Sequence, residues 1–334
     1  VRNASRPHAE NWEAPSPRVL VACLPMTVLV RDLRPDVPAD PEGFVHVRRL
    51  ALPYVLFTPE SVRHVVARIH PAAHYRALVA EEDGEVIGTA QVSVAHEGTE
   101  PGQGYVNVYV HPGRTGRGAG TLLLETGEAH LASVGATRAY SWVLDTPGNR
   151  AFAERRGYAE GHTAHFLRRD LTADDLPAPP ATPPGVELRT AADFAADPRP
   201  LFELDAETSS DEPSAVTVSL SDYAAWREET WEHPLLDREL TMVCVADGRP
   251  VAFTAARTDG AGRYLTAMTG TARSHRGRGL AKLAKTHSLH RARAAGVTEA
   301  FTGNDATNGP MLAINKWLGY HKCATEVQYV RELV

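Results

Sequence analysis

No apolar run in this 334-residue chain approaches the roughly 18 residues that a membrane-spanning helix needs, and no membrane partner is expected. Positive charge is not in excess either. Thirty-five Lys and Arg stand against 41 Asp and Glu, for a net charge of -6, which argues against general affinity for nucleic acid or an anionic surface. Cysteine is scarce: Cys23, Cys244 and Cys323 are far apart and odd in number. They give no zinc spacing and no disulfide framework, so no metal is expected and a reducing, cytoplasmic setting fits best. A convincing signal peptide is missing too, because "RVLVACLPM" is too short and poorly flanked.

What remains is ordinary globular composition, 43% hydrophobic and 23% charged, at about twice the length of one domain. The strand-like pattern starts at "TVLVRDL", just after Met26. Residues 1–26 read as a flexible extension, either preceding a natural start at Met26 or forming a weakly ordered tail from Val1 to Pro25.

The rest is one unit written twice. "DLTADDLPAPPATPPG" carries prolines that suit neither a central strand nor a helix interior, and it reads as a semi-rigid linker over 171–185. Glycines on either side keep their separation: Gly118 and Gly279 lie 161 residues apart, Gly135 and Gly296 again 161, and Gly157 and Gly319 162. A repeat this long is a duplicated domain, 27–170 and 186–334, rather than a solenoid. Each unit reads as hairpin around an Asp-Gly turn, strand, glycine-rich turn, helix, short strand, helix and last strand, with a further helix before the hairpin. The fold class is therefore α/β (α+β), each domain having a mixed, largely antiparallel central sheet flanked by helices.

The glycine-rich turn is "HRGRGLA" in the second unit, His275–Ala281, and "RTGRGAG" in the first. A helix N-terminus presents unpaired N–H groups, and glycine lets the main chain approach a ligand, so such a turn can cradle phosphate. Arg276 and Arg278 add charge there, as do Lys282 and Lys285 on the following helix. The turn is not a Walker loop, because Gly279-Leu280-Ala281 stands where Gly-Lys-Ser/Thr is needed. Its late position in each unit does not suit a dinucleotide fingerprint, and no kinase residues accompany it. A surface turn with solvated arginines is the competing reading of these seven residues alone.

The order hairpin, strand, Arg-x-x-Gly-x-Ala, helix, strand and "NDATNGPMLAINKWLGY" resembles the GNAT superfamily of acyl-CoA-dependent N-acyltransferases. The match covers both units, as in tandem proteins of the actinobacterial type. The resemblance implies a diphosphate of acetyl-CoA held by Arg276, Gly277, Arg278, Gly279, Leu280 and Ala281. It implies a strand end, Thr269, Gly270 and Thr271, that offers main chain to the thioester; Asn304 and Asn308 are candidates to bond the pantetheine amides, with a turn-forming role as the competing reading. In the first unit the matching residues are Val108 and Val110 on the strand, and Gly116, Arg117, Gly118 and Gly120 in the turn. There Thr115 fills the Arg/Gln slot, and Thr146 and Ala153 fill the later Asn and Tyr slots. The first unit thus reads as a weaker cofactor site or structural relic, and the second as the main catalyst.

The implied reaction is acetyl transfer to the amine of a small molecule or peptide in a ternary complex, by a monomer or homodimer. A catalytically weak acyl-CoA sensor or scaffold is the alternative. The family's Tyr slot in the second unit is Asn315, which can orient but cannot give up a proton at pH 7. "ELDAETSSDE" is expected to form an acidic loop after the unit's first helix, with Glu207 as candidate base. A merely solvated acidic loop is the plainer reading. His275 and His287 are expected to face solvent, and Trp226, Trp231 and Trp317 to lie in the core.

Overall fold

The computed structural model describes residues 27–217 and 219–333. The extension expected over 1–26, with its alternative starts, lies outside the described residues, as does Cys23. Both hairpins turn on an Asp-Gly pair. Asp83 and Gly84, and again Asp247 and Gly248, take positive φ (51°, 83°, 50° and 73°), the two-residue geometry whose twist matches paired strands.

The first unit runs β1 (Leu29–Asp32), α1 (Ala39–Ala51), α2 (Pro59–Arg68), β2 (Arg76–Glu82), β3 (Glu85–Val94), β4 (Gln103–Val110), α3 (Ala119–Ser133), β5 (Arg138–Leu144), α4 (Pro147–Glu154) and β6 (Ala159–Asp170). The second repeats it as β7 (Val186–Thr190), α5 (Arg199–Ser209), α6 (Tyr223–Trp226), β8 (Met242–Ala246), β9 (Arg249–Thr258), β10 (Arg263–Thr271), α7 (Leu280–Ala294), β11 (Glu299–Asp305), α8 (Gly309–Trp317) and β12 (His321–Glu332). Thr58 caps α2 and Asn308 caps α8, each accepting from a main-chain N–H three residues on. Among the described residues no helix is long and apolar enough to cross a membrane.

Among the described residues all twelve strands form one sheet, in the order β1-β2-β3-β4-β5-β12-β6-β11-β10-β9-β8-β7. The pairing is antiparallel except for β4 with β5 and β10 with β11. The last strands are exchanged. β12, from the second unit, lies against β5 of the first, and β6, from the first, lies against β11 of the second. Each half of the sheet is thus completed by the other half's chain. The proline-rich linker makes this reachable. From β6 to β7 is five strand spacings, roughly 24 Å, and 15 extended residues reach about 50 Å. The linker is also fastened: His290 Nε2 lies 2.9 Å from Pro177 O, and Arg169 pairs with Asp175.

The units also pack across the seam. The segment after α1 lays Tyr54 against Phe166, ring centroids 4.3 Å apart, in a cluster that includes Leu52, Phe301 and Tyr109. Arg48 is buried beside it, its guanidinium 4.4 Å from the Tyr109 ring. Trp226 and Trp231 are core residues as expected, whereas Trp317 is 39% exposed.

Candidate functional site

Two places in the sheet open. β10 pairs with β11 only over Arg263–Thr266, after which an irregularity between Thr266 and Met268 keeps β10 on β9 and the two parallel strands part. Ala272 N donates to Val251 O at 2.9 Å. Donors alternate along an antiparallel strand, so the Thr271 N–H points into the opening. The first unit repeats the device: β4 pairs with β5 only over Gln103–Tyr105. His111 N donates to Ile87 O at 2.8 Å, which turns the Val110 N–H toward that gap.

At the mouth of each opening stands the glycine turn. Gly277 and Gly279 have φ of 74° and 75°, and Gly116 and Gly118 have 79° and 89°, a region that favours glycine. A Cβ at any of the four would meet nothing within 4 Å, so the turns face open space. None of the amides of Arg276–Ala281 donates to a protein acceptor among the described residues, nor do those of Thr115–Gly120. Each turn therefore presents a run of free N–H groups at the start of a fifteen-residue helix.

In the second unit a cavity of about 680 Å³ lies along the turn and between the parted strands. Of the residues expected there, all but Arg278, Asn315 and Glu207 line it. Arg276 is braced by Asp211 at 2.5 Å and by Thr271 O at 3.2 Å, while Arg278 is exposed and carries no ion pair among the described residues. Asn315 lies just behind the wall. It is fully buried, and its Nδ2 donates to Asn304 Oδ1 at 2.6 Å, which leaves the Asn304 amide donors for the cavity. Asn308 both lines the cavity and caps α8, accepting from Met311 N at 3.3 Å.

Three sequence expectations are corrected. Glu203, Asp205 and Glu207 are not in a loop: they belong to α5, and only Asp211 and Glu212 of the acidic stretch lie beyond it. Glu207 accepts from Arg273 N at 2.6 Å and lines no described cavity, and Asp205 is buried with Trp226 Nε1 at 2.8 Å. Lys285 does not add a cation to the mouth of the turn. It is fully buried, Nζ 3.2 Å from Thr302 Oγ1, and burial pushes its ammonium down to about 7. Lys282 lies over the Trp317 ring at 3.4 Å. His275 and His287 are both half-buried rather than solvent-facing: His275 lines the cavity, and burial lowers the pKa of His287.

The first unit's cavity, about 810 Å³, is lined by all six residues expected there, from Val108 and Val110 to Gly120. Its arginines are differently committed. Arg117 pairs with Glu82 at 2.7 Å, and Arg156 lies on the Phe152 ring at 3.6 Å and donates to Thr121 Oγ1 at 2.5 Å.

A third cavity, about 290 Å³, adjoins the second unit's at Gly303 and Asn304 and lies over the paired, exchanged strands. Glu326 of β12 lines it, 4% exposed, accepting from Tyr109 Oη at 3.2 Å with Tyr54 beside it. Burial pushes the Glu326 carboxyl up to about 7, against the opposing pull of the Tyr109 hydrogen bond and Arg48.

Duplicated units, each with an N–H-lined turn beside a parted parallel strand pair, are matched by one family model, described as the acetyltransferase (GNAT) family, over residues 46–158 and 201–320. The chain belongs to the acetyltransferase (GNAT) family. It is a tandem member of it, with both units matched. A mycothiol acetyltransferase of Thermomonospora curvata is 28% identical over 261 residues, which cover 77% of this acetyltransferase and 83% of that protein. One of Nocardia farcinica is 29% identical over 277 residues, covering 81% and 87%. Among solved structures, a tandem GNAT protein from the clavulanic acid biosynthesis pathway superposes with a TM-score of 0.69 at 21% identity, covering 92% of this chain and 99% of that one. A GCN5-related N-acetyltransferase from Sphaerobacter thermophilus gives 0.68 at 22% identity, covering 92% and 96%. These two likenesses show the fold.

Sequence reasoning missed Glu326, Arg156 and the true setting of Lys285. For two of them a signal was present. Glu326 is a lone acid in the apolar strand "ATEVQYV", and Lys285 shares a buried helical stripe with Ser288, Leu289 and Ala292.

Proposed function

We propose that the second unit of this acetyltransferase moves the acetyl group of acetyl-CoA directly to the amine of a small molecule or peptide bound at the same time. The observation that carries the reading is the run of unpaired amides at Arg276–Ala281, aimed at a cavity between parted strands. The donor set fits a diphosphate: consecutive main-chain N–H groups, a helix N-terminus, and exposed Arg276 and Arg278 at one spot. Acetyl-CoA supplies the activated acyl group as a thioester.

The chain's own groups then divide the work. The Thr271 N–H, turned into the gap, is placed to stabilise charge developing on the thioester oxygen. Asn304, held by Asn315, offers amide donors to the substrate arm along the wall. Asn315 is a positioning residue: it touches Asn304 and not the cavity, and an amide has no proton to give at pH 7. The relatives' name, mycothiol acetyltransferase, supports acetyl transfer as the reaction class.

Acetyl-CoA is expected to raise the melting temperature and to release free thiol only when an amine is supplied. Thiol release that does not depend on an amine would refute transfer. A second reading, an acyl-CoA sensor, draws on the first unit's cavity of about 810 Å³, which has the same turn but Ala153 and Thr146 in the later slots. Cofactor binding without thiol release across a broad amine panel would favour it.

A further inference from the structure

The cavity over the exchanged strands has features that neither the glycine turn nor the family pattern assigns. Its floor is set by register. Leu144 on β5, Glu326 on β12, Ala164 on β6 and Asp305 on β11 are successive partners in one row across the sheet, so their side chains share a face. Trp142 and Phe166, two residues along their strands, stand on that same face and line the cavity. Glu212, on the segment after α5, stands at the rim. Three carboxylates therefore line a space of about 290 Å³, and no Lys or Arg among the described residues does. Their commitments differ. Asp305 is spent on Thr307 N and Oγ1 and on His162, whereas Glu326 accepts on Oε1 from Tyr109, with the Tyr54 hydroxyl beside it.

The position matters as much as the charge. The cavity meets the thioester cavity at Gly303 and Asn304, where β10 and β11 part. β12 lies two strand spacings from β11 across β6, roughly 10 Å, a span that a compact amine lying over Ala164 can bridge. The volume equals that of about ten waters, which suits a small molecule rather than a folded partner.

We infer that this cavity is the acceptor site of the second unit, that it takes a compact primary amine with an apolar body and no carboxylate or phosphate, and that Glu326 is the catalytic residue receiving the amine's proton. The inference rests on the acetyl-transfer reading above. Anionic acceptors would meet three carboxylates in a cavity that no Lys or Arg among the described residues lines, whereas an ammonium is drawn in and its apolar body lies on Trp142 and Phe166. In the step, the ammonium gives one proton to the Glu326 carboxylate, and the freed nitrogen lone pair forms the C–N bond to the thioester carbonyl carbon. The C–S bond breaks with its electron pair on sulfur, and the nitrogen's second proton goes to that thiolate. The products are the amide, coenzyme A as thiol and protonated Glu326, which returns its proton to water. The site is shared between the units: Tyr109 and Trp142 come from the first, and Glu326 and Asp305 from the second. The strand exchange is what brings them together.

The test uses the full chain, acetyl-CoA and three matched pairs: tyramine and tyrosine, histamine and histidine, cadaverine and lysine. Thiol release is expected with at least one amine, with kcat/KM at least tenfold above that of its amino-acid counterpart. Glu326→Gln is expected to lower kcat by 100-fold or more while leaving the Kd for acetyl-CoA unchanged. The wild-type kcat/KM is expected to fall as pH drops through about 7, because the base must be ionised, and the variant is expected to lose that limb. Glu326→Asp is expected to recover part of the rate. Three results would overturn the inference: amino acids preferred over their amines, a Glu326→Gln variant with wild-type kcat and pH profile, or acetyl-CoA bound tightly with none of the amines acetylated. Failure of acetyl-CoA to bind the wild-type chain at all would instead overturn the acetyl-transfer reading beneath it.

Discussion

Replacing Lys285 with methionine is expected to change how stability depends on pH. Lys285 is fully buried against Thr302 with no carboxylate partner among the described residues, and burial lowers its pKa from 10.5 to about 7. Between those values the unfolded chain binds a proton that the folded chain does not, so wild-type stability rises with pH across that window. The whole shift corresponds to roughly 5 kcal/mol, of which about 2 kcal/mol is regained between pH 7 and pH 9. A neutral side chain of similar length has no such slope. Urea unfolding of wild type and Lys285→Met, without acetyl-CoA, at pH 7, 8 and 9 isolates it, because other titrating groups cancel in the difference. The variant's advantage is expected to shrink by about 2 kcal/mol from pH 7 to 9, or roughly 3 °C in melting temperature. A constant difference would mean that Lys285 stays charged in the folded protein, and the reasoning from its burial would fail.

Glu326→Gln is expected to behave in the opposite sense. The native carboxyl titrates at about 7 rather than 4.5, so wild-type stability is lost as pH rises through that window, and the variant should gain about 3 kcal/mol at pH 8 and little at pH 4. Equal urea midpoints for the two proteins at pH 8 would contradict a buried Glu326. Gly279→Val forces a branched residue to φ near 75° and fills the space in front of the free amides, and acetyl-CoA affinity measured by calorimetry is expected to fall at least 100-fold. Removing residues 321–334 takes β12 from between β5 and β6, and hydrogen exchange is expected to speed up in β5 of the first unit, not only in the second. Protection in β5 unchanged by the truncation would contradict the exchange.

Local chemistry made much of this legible. Asp-Gly pairs announced both hairpins, and glycines at 118 and 279 announced positive φ at two helix starts, because few other residues accept those conformations. The duplication announced two copies of the turn and cavity. The strand exchange was not legible, because the last strands of the two units carry similar patterns and nothing local says which copy sits beside β5. α1, and the reach of α5 through Glu207, were not legible for a related reason: each helix starts after proline and mixes charges along its length, which hides the apolar face. Glu207 reads as a candidate base only while the acidic stretch is taken for a loop, whereas helical geometry turns it to the Arg273 amide and register places Glu326, more than 100 residues on, at the cavity. Sites made by register across exchanged strands lie beyond motif spacing.

The most direct test of the account is a crystal structure of the full chain grown with acetyl-CoA. The account predicts the diphosphate on the amides of Arg276–Ala281 and the thioester between Thr271 and Asn304, facing the cavity that Glu326 lines. Acetyl-CoA found in the first unit alone, or with its diphosphate away from those amides, would contradict it.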